Sequence, residues 1–595
     1  MPILSDNRQL LYFSRLAELG VNKEIFITLP EVAEIMFTSN RHCRTLLNQL
    51  NQLGWIEWKP KSGRNQRSQL YLNYTVNNIK NQLAQQLISK GKYEKALDLI
   101  DNDQQLFAQL LKNTSGPQRR EGRLHVQLTY DRAFSLLLPH CPLRNSERFL
   151  LRQVYSCLVQ CDENGNIKPE LAHNWTYNKS ELSWKFYLRP QLKFHDGSDI
   201  TASVITDLFK QLKHMLLYKN ELSHIESICE LNPLCIQFTL TKPDEGFAAL
   251  LSDVKYAIQP PKQLSETNIT TNNRSVTGSG VFQVQEHSEQ KLTLQAYDHF
   301  HGFRALTDTV TIWQLPKQEN STFGDTKLET ARVTPAGSMC SNYLSVEGAS
   351  DENGQLIASS EQTSRIEDGC LLAMVNSQAE LSLLQRKYLS QLIGSESLLK
   401  QLTQSDDDIA AVAAYNLLPG WLTLLPSVPV AHPLPDSLTI AIFEHHALKQ
   451  CAEAMMTLLN SAGVHCTINI YSFNDFYEKA QNQSLNEDII LTSMNLDDNR
   501  PISAFCWMLS NPFLQQSLSY QDKEWLASKL YYLREQQPVS SYMRELESVA
   551  SALITSHKLI PIFHHKQTLR FEDVLKSVSI NTWGWPELRD IWTDE

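Results

Sequence analysis

The chain has 595 residues, 42% apolar and 20% charged, with eleven cysteines and a formal charge of −11. That length exceeds what one hydrophobic core accommodates, so two or three domains are expected, and the ordinary apolar content excludes disorder at scale. The cysteines are scattered, and no second pair answers Cys157 and Cys161 at a zinc-site spacing, so reduced thiols are expected and a metal site is not.

The residues following Met1 lack the charged start, apolar run and small-residue cleavage site of an export signal. No stretch reaches the ~18 to 20 apolar residues of a membrane span. A cytoplasmic protein without membrane contact is therefore expected. Leu10, Leu11, Phe13, Leu16 and Leu19 recur at helical spacing and predict a first helix within residues 5 to 20.

Thr28 and Glu31 have capping-box spacing with Pro30 in the first turn, which predicts a short helix burying Val32, Ala33, Ile35 and Met36. Thr38 or Ser39 then caps a second helix. Its Cys43, Leu46, Leu47, Leu50 and Leu53 share one face, leaving Asn40, Arg41, Arg44, Thr45 and Asn48 on the other, and Gly54 ends it. Two β-type runs, Trp55 to Trp58 and Ser68 to Leu72, flank a basic loop. Helix, turn, helix, strand, basic loop, strand is the order of a winged helix-turn-helix. Between Arg41 and Leu70 stand six Lys/Arg against one acid, a local +5 that leaves −16 for the rest. A basic island in an acidic chain is the footprint of phosphate contact, so double-stranded DNA is the expected partner. Under this reading Ser39, Asn40, Arg41, Arg44, Thr45 and Asn48 present the recognition helix to base edges, while Lys59, Lys61, Arg64 and Arg67 meet phosphates or the minor groove.

Residues 76 to 112 predict two or three further helices, broken near Lys90 and Asp101, that pack on the winged helix or pair two subunits of a homo-oligomer. Residues 113 to 122 hold small residues, a Gly-Pro and a charge cluster, and are expected to be a solvated linker. The expected domains are 1–74, a 75–122 connector, and 123–595. The texture then changes to short β-type runs between helices. Trp184, Phe186 and Leu188 alternate as a half-buried strand, Pro190 and Gly197 make turns, and Thr201 caps the next helix. Leu438 to Phe443 and Asp488 to Leu491 predict buried strands.

The segments Leu171-Ala-His-Asn-Trp175 and Trp184 to Gly197, with Val154 to Leu158, Asp162 to Pro169 and Thr277 to Val284, resemble the family 5 extracellular solute-binding proteins, receptors of ABC importers. The resemblance implies a two-lobed α/β domain of the periplasmic-binding-protein type II fold, following the α+β winged helix. An amino-terminal winged helix joined to such a domain, the segment Arg41 to Asn48, the arginine-rich wing and Asn581-Thr-Trp-Gly-Trp585 together resemble the SgrR-type transcription factors. That resemblance implies a regulator of the response to accumulated sugar phosphate, acting on a small-RNA promoter and on its own gene, with a small-molecule effector such as a sugar phosphate. It further implies a cleft drawn from Tyr155, Ser279, His445, Thr492, Met494, Asn495 and Asp497. In peptide-binding members an aspartate near this last stretch pairs with the peptide's amino group. Alignment puts Met494 there, with Asp497 or Asp498 a short slip away, so a neutral or anionic ligand is expected.

No G-x-S-x-G elbow, Walker A loop or H-E-x-x-H occurs, so neither catalysis nor a cofactor is expected. The turn Gly278-Ser-Gly280 reads as structural rather than as an anion cradle. The pairs His445/His446 and His564/His565 follow apolar runs. They read as surface or hydrogen-bonded residues, with a cleft or pH-sensing role as the alternative. Two rivals stay open: a solute receptor of an ABC importer, and a DNA-binding protein whose solute domain is only a scaffold.

Overall fold

A computed structural model describes residues 3–61, 66–89, 92–103, 106–107, 110, 118–120, 123–130, 132–265, 276–314, 360–403, 411–425, 431–572, 576–577, 579 and 581–592. The chain divides into two compact units, Met1–Ser115 and Gly116–Glu595.

In the first unit the order is α1 (Ile3–Ala17), β1 (Glu24–Ile27), α2 (Leu29–Ile35), α3 (Asn40–Gln52), β2 (Ile56–Lys59), β3 (Ser68–Leu72), α4 (Val76–Ser89) and α5 (Tyr93–Leu99). The capping box forms as spaced: the Thr28 N–H donates to Glu31 Oε2 at 2.8 Å and the Glu31 N–H to Thr28 Oγ1 at 3.4 Å. Ser39, not Thr38, caps α3, its Oγ accepting the His42 N–H at 3.3 Å. Gly54 follows α3 at φ +72, a left-handed conformation that favours glycine. The strand β1 was not foreseen. It pairs antiparallel with β3, which also pairs with β2, giving the order β1-β3-β2. Phe13, Leu16, Val32, Leu47, Leu50, Trp55, Leu70 and Leu72 form this unit's own core.

In the second unit, residues Gln118–Arg120 pair antiparallel with Arg123–Tyr130. The stretch read as linker therefore contains a strand at the edge of a sheet, where a short polar segment can bond through its backbone alone. The first lobe holds this five-stranded sheet, ordered 282–287, 291–296, 309–314, 123–130, 118–120, and a four-stranded antiparallel sheet ordered 225–232, 235–240, 183–188, 172–178. The second lobe is built on a mixed sheet ordered 360–366, 559–572, 369–375, 489–495, 437–443, 465–471, with 411–413 added against 559–572. Ser437–Phe443 runs parallel to both His465–Tyr471 and Ile489–Asn495, so the helices His446–Ser461 and Phe473–Gln481 are crossover elements of an α/β layer. One apolar core runs through both lobes.

The carboxy-terminal residues return to the first lobe and staple it to the second. The Thr307 hydroxyl donates to Ile591 O at 3.1 Å, Trp585 stacks on Phe149 at 4.9 Å between ring centres, and Trp583 Nε1–H donates to Asp497 Oδ1 at 3.0 Å. Among the described residues no helix is long and apolar enough to cross a membrane.

Candidate DNA interface and solute cavity

The helix α3 separates its two faces as its spacing requires. Cys43, Leu47 and Leu50 are wholly buried and Leu46 nearly so, while Ser39, Asn40, Arg41, Arg44, Thr45 and Asn48 are exposed. Among the described residues Arg41 and Arg44 make no ion pair, which leaves both guanidinium groups available for phosphate oxygens or guanine edges. Asn51 Oδ1 accepts the Trp58 N–H at 3.0 Å, so the helix and the first wing strand are joined directly. Along the wing Lys59, Lys61 and Arg67 are exposed. Lys59 lies 3.7 Å from Glu57, and Arg67 lies 3.9 Å from Glu31. Both are loose, solvent-exposed pairs of the kind that contribute little and exchange readily. Arg64 lies outside the described residues.

In the second unit a cavity of about 160 Å³ lies between the lobes, and a second of the same size adjoins it through Arg148, Tyr477, Asn495, Trp507 and Asn511. The first lobe contributes Tyr130, Arg132 and the start of the helix Asn145–Val154, with Arg144 just before it. The second contributes Phe443, His445 and Phe473, together with Thr492, Ser493 and Asn495 from the sheet and His565 from the long strand.

Of the residues expected in the cleft, His445, Thr492 and Asn495 line this cavity. Tyr155, Ser279, Met494 and Asp497 are enclosed elsewhere. The Tyr155 hydroxyl donates to Leu137 O at 3.0 Å, and burial raises its pKa. Ser279 Oγ accepts the Ser156 N–H at 3.0 Å and donates to Ile258 O at 2.8 Å, binding its turn to neighbouring loops. That turn is structural: a Cβ on Gly278 would stand 2.0 Å from Val154 O. Met494 is wholly buried in the core. Asp497 is ion-paired with Arg148 and is not free to meet a ligand's ammonium.

The histidines separate by role. His564 Nδ1 lies 2.6 Å from Gly369 O and His565 Nδ1 lies 3.1 Å from Glu367 Oε2, both inside a strand that continues to Glu572 rather than ending before them. His446 is exposed at the start of its helix. His445 has a buried Nδ1 without a partner. Burial, then the nearby His565, Arg132 and Arg144, hold its pKa down to about 3, so its ring is neutral near pH 7.

The arginines were missed by sequence reasoning. Arg132 forks onto Glu147, Nη1 to Oε1 at 2.6 Å and Nη2 to Oε2 at 2.8 Å. Burial works to raise the Glu147 pKa, but Arg132 outweighs it and brings it to about 2. Arg144 makes no contact ion pair among the described residues, although Glu147 and Glu444 attract it from farther off. Its guanidinium lies 4.7 Å from the Phe473 ring centre and 5.6 Å from that of Phe443, and burial followed by repulsion from Arg132 lowers its pKa to about 10. The available signal was Arg144, Arg148 and Arg152, four residues apart on one helix face.

Residues 8–122 match the family model described as "Sugar transport-related sRNA regulator N-term", and residues 166–323 match "Bacterial extracellular solute-binding proteins, family 5 Middle". Over nearly the whole chain it is similar to the HTH-type transcriptional regulator SgrR of Photorhabdus laumondii, at 28% identity covering 98% of this chain and 97% of that protein. Both domains of the chain and nearly its full length are thus similar to SgrR-type regulators. The SgrR of Pectobacterium atrosepticum is 29% identical, over 95% of each chain. In fold, the chain is similar to the oligopeptide-binding protein AppA of Bacillus subtilis, solved with a nonapeptide. The TM-score is 0.61 at 15% identity, covering 81% of this chain and all of AppA, which establishes the two-lobed periplasmic-binding-protein architecture.

Proposed function

We propose that this chain regulates transcription by binding duplex DNA through its first unit, under control of a small solute, of the sugar-phosphate kind, held between the lobes of its second. The observation that carries the reading is the pairing, in one chain, of an exposed, unpaired basic helix face with a solute-binding fold that encloses a cavity. Asn40, Arg41, Arg44, Thr45 and Asn48 enter the major groove, where Arg reaches guanine and Asn reaches adenine, while Lys59, Lys61 and Arg67 hold the phosphate backbone. The named relatives are transcriptional regulators over their whole length, which favours this reading over an importer's receptor. It places the protein in the cytoplasm, where DNA is.

Control requires that the solute bind one arrangement of the lobes better than another, since a ligand shifts an equilibrium only by its differential affinity. The cavity draws lining residues from both lobes, so its occupant contacts both at once. The test is to measure the affinity of the full chain for its operator while titrating hexose phosphates. A change in affinity that saturates with ligand is expected. Unchanged affinity at saturation rejects the control step.

A further inference from the structure

We infer that the interlobe cavity takes its solute by an oxyanion, with Arg144 as the anchor. This rests on reading the cavity as the effector site and names the chemistry of what enters it.

The basic side chains lining the cavity are Arg132, Arg144, Arg148, His445 and His565; Tyr130 and Tyr477 also line it, and no Asp or Glu is among the described lining residues. Three of the five are engaged by carboxylates set behind the wall: Arg132 by Glu147, Arg148 by Asp497 and His565 by Glu367. Arg144 is not. Its guanidinium carbon lies over the rings of Phe443 and Phe473, contacts that use no N–H donor, and its Nε is buried without a hydrogen-bond partner among the described residues. Three more residues of the same wall carry a buried polar atom with no hydrogen-bond partner among the described residues, His445 Nδ1, Asn145 Oδ1 and Trp507 Nε1; a neutral imidazole can offer an N–H, the indole N–H donates, and the amide oxygen accepts from a hydroxyl.

A half-buried guanidinium whose nearest carboxylates, Glu147 and Glu444, attract it only from a distance keeps unsatisfied donors, and an arriving oxyanion satisfies them with paired hydrogen bonds. The helix Asn145–Val154 begins at the cavity wall, and its positive end adds to the same field. The opposite ligand is disfavoured: a peptide's ammonium meets the unpaired guanidinium of Arg144 and no carboxylate in this cavity's described lining, Asp253 standing in the adjoining one. Beyond the anion end, Asn145 donates to Trp583 O and Asn511 accepts the Leu514 N–H, which leaves the other end of each amide for a ligand, and Tyr477 and Trp507 add aromatic faces, a combination that suits a polyhydroxylated body. The ligand class is therefore a small polyol carrying a phosphate or carboxylate.

The experiment uses the full chain, with thermal shift and calorimetric titration of inorganic phosphate, glucose 6-phosphate, glucuronate and glucose, each against chloride at equal ionic strength. Glucose 6-phosphate or glucuronate is expected to bind and raise the melting temperature, with inorganic phosphate weaker and glucose inert; which anionic sugar wins separates phosphate from carboxylate. Arg144→Gln is expected to weaken the anions at least about tenfold, with Arg144→Lys intermediate. Unliganded Arg144→Gln is expected to melt close to the wild type, since it loses two ring contacts but no hydrogen bond or contact ion pair seen among the described residues. Glucose binding as tightly as the anions, no anion binding at all, or anion binding unchanged in Arg144→Gln overturns the inference. Solute-dependent DNA affinity that persists in Arg144→Gln rejects the anchor and keeps the effector reading. Anion binding lost in Arg144→Gln while operator affinity never responds keeps the anchor and rejects the effector reading.

Discussion

Replacing Glu147 with Gln removes the counter-ion that holds Arg132 at the cavity wall. The Glu147 carboxyl is wholly buried, accepts both Nη groups of Arg132 and takes the Ser135 N–H at 3.1 Å. Its pKa falls from 4.5 to about 2 on folding. At about 1.4 kcal/mol per pH unit, that difference corresponds to roughly 3 kcal/mol of stability. The folded value lies below the unfolded one, so the contribution is complete above pH 4.5 and is lost as pH falls towards 2. Deleting one partner of a buried pair also leaves the other without its fork, and such deletions cost about 3–5 kcal/mol. Urea unfolding of wild type and Glu147→Gln, followed by tryptophan fluorescence at a series of pH values, reads this directly. The difference is expected to be constant at about 3 kcal/mol or more above pH 5 and to shrink below it. A difference within about 0.5 kcal/mol at pH 7, or one that does not change with acid, refutes the assignment of that pair as a stabilising one.

Other outcomes follow from the same geometry. Arg44→Ala is expected to lower the preference for operator over random duplex, because it faces bases, whereas Arg67→Ala weakens all duplexes alike and flattens the salt dependence; competition binding with both DNAs checks the division. Gly278→Ala forces a Cβ to within 2.0 Å of Val154 O and is expected to cost about 2–3 kcal/mol in chemical denaturation; an unchanged unfolding midpoint contradicts the close approach. Burial, reinforced by Asp498, lifts the Glu587 pKa to about 7. The folded value lies above the unfolded one, so the wild type loses stability as pH rises from 4.5 through 7. Glu587→Gln is then more stable than wild type at pH 8 and equal to it at pH 4; equality at both contradicts the shift.

The winged helix was legible because its determinants are local: a capping box, a helical stripe ending at Gly54, and a basic loop between two short strands. The strand β1 escaped because Glu24–Ile27 is defined by its pairing with β3, more than forty residues away. In the second unit the strand–turn–helix from Ser183 to Leu212 was readable for the same local reason. The cavity was not. Arg132, Arg144 and His445 meet only once two lobes close, and no spacing in the chain encodes that meeting. Tyr155 and Ser279 were placed in the cleft by resemblance, yet their polar atoms bond internally. The apolar run that precedes His564 and His565 suggests a strand ending at that pair. Pairing of residues 566–572 with Ser360–Ile366 carries the strand on, and polar residues suffice where the backbone is satisfied.

The claim on which the account depends is that the first unit of an acidic chain holds DNA through phosphate contacts. The most direct measurement is the affinity of the full chain, over a salt series, for a duplex it has selected from a random pool. Affinity is expected to fall linearly on logarithmic axes, with the slope reduced by about 0.9 for each contacting Lys or Arg removed. Affinity indifferent to salt, or a slope unchanged in a variant lacking Arg41, Arg44 and Arg67 together, contradicts it.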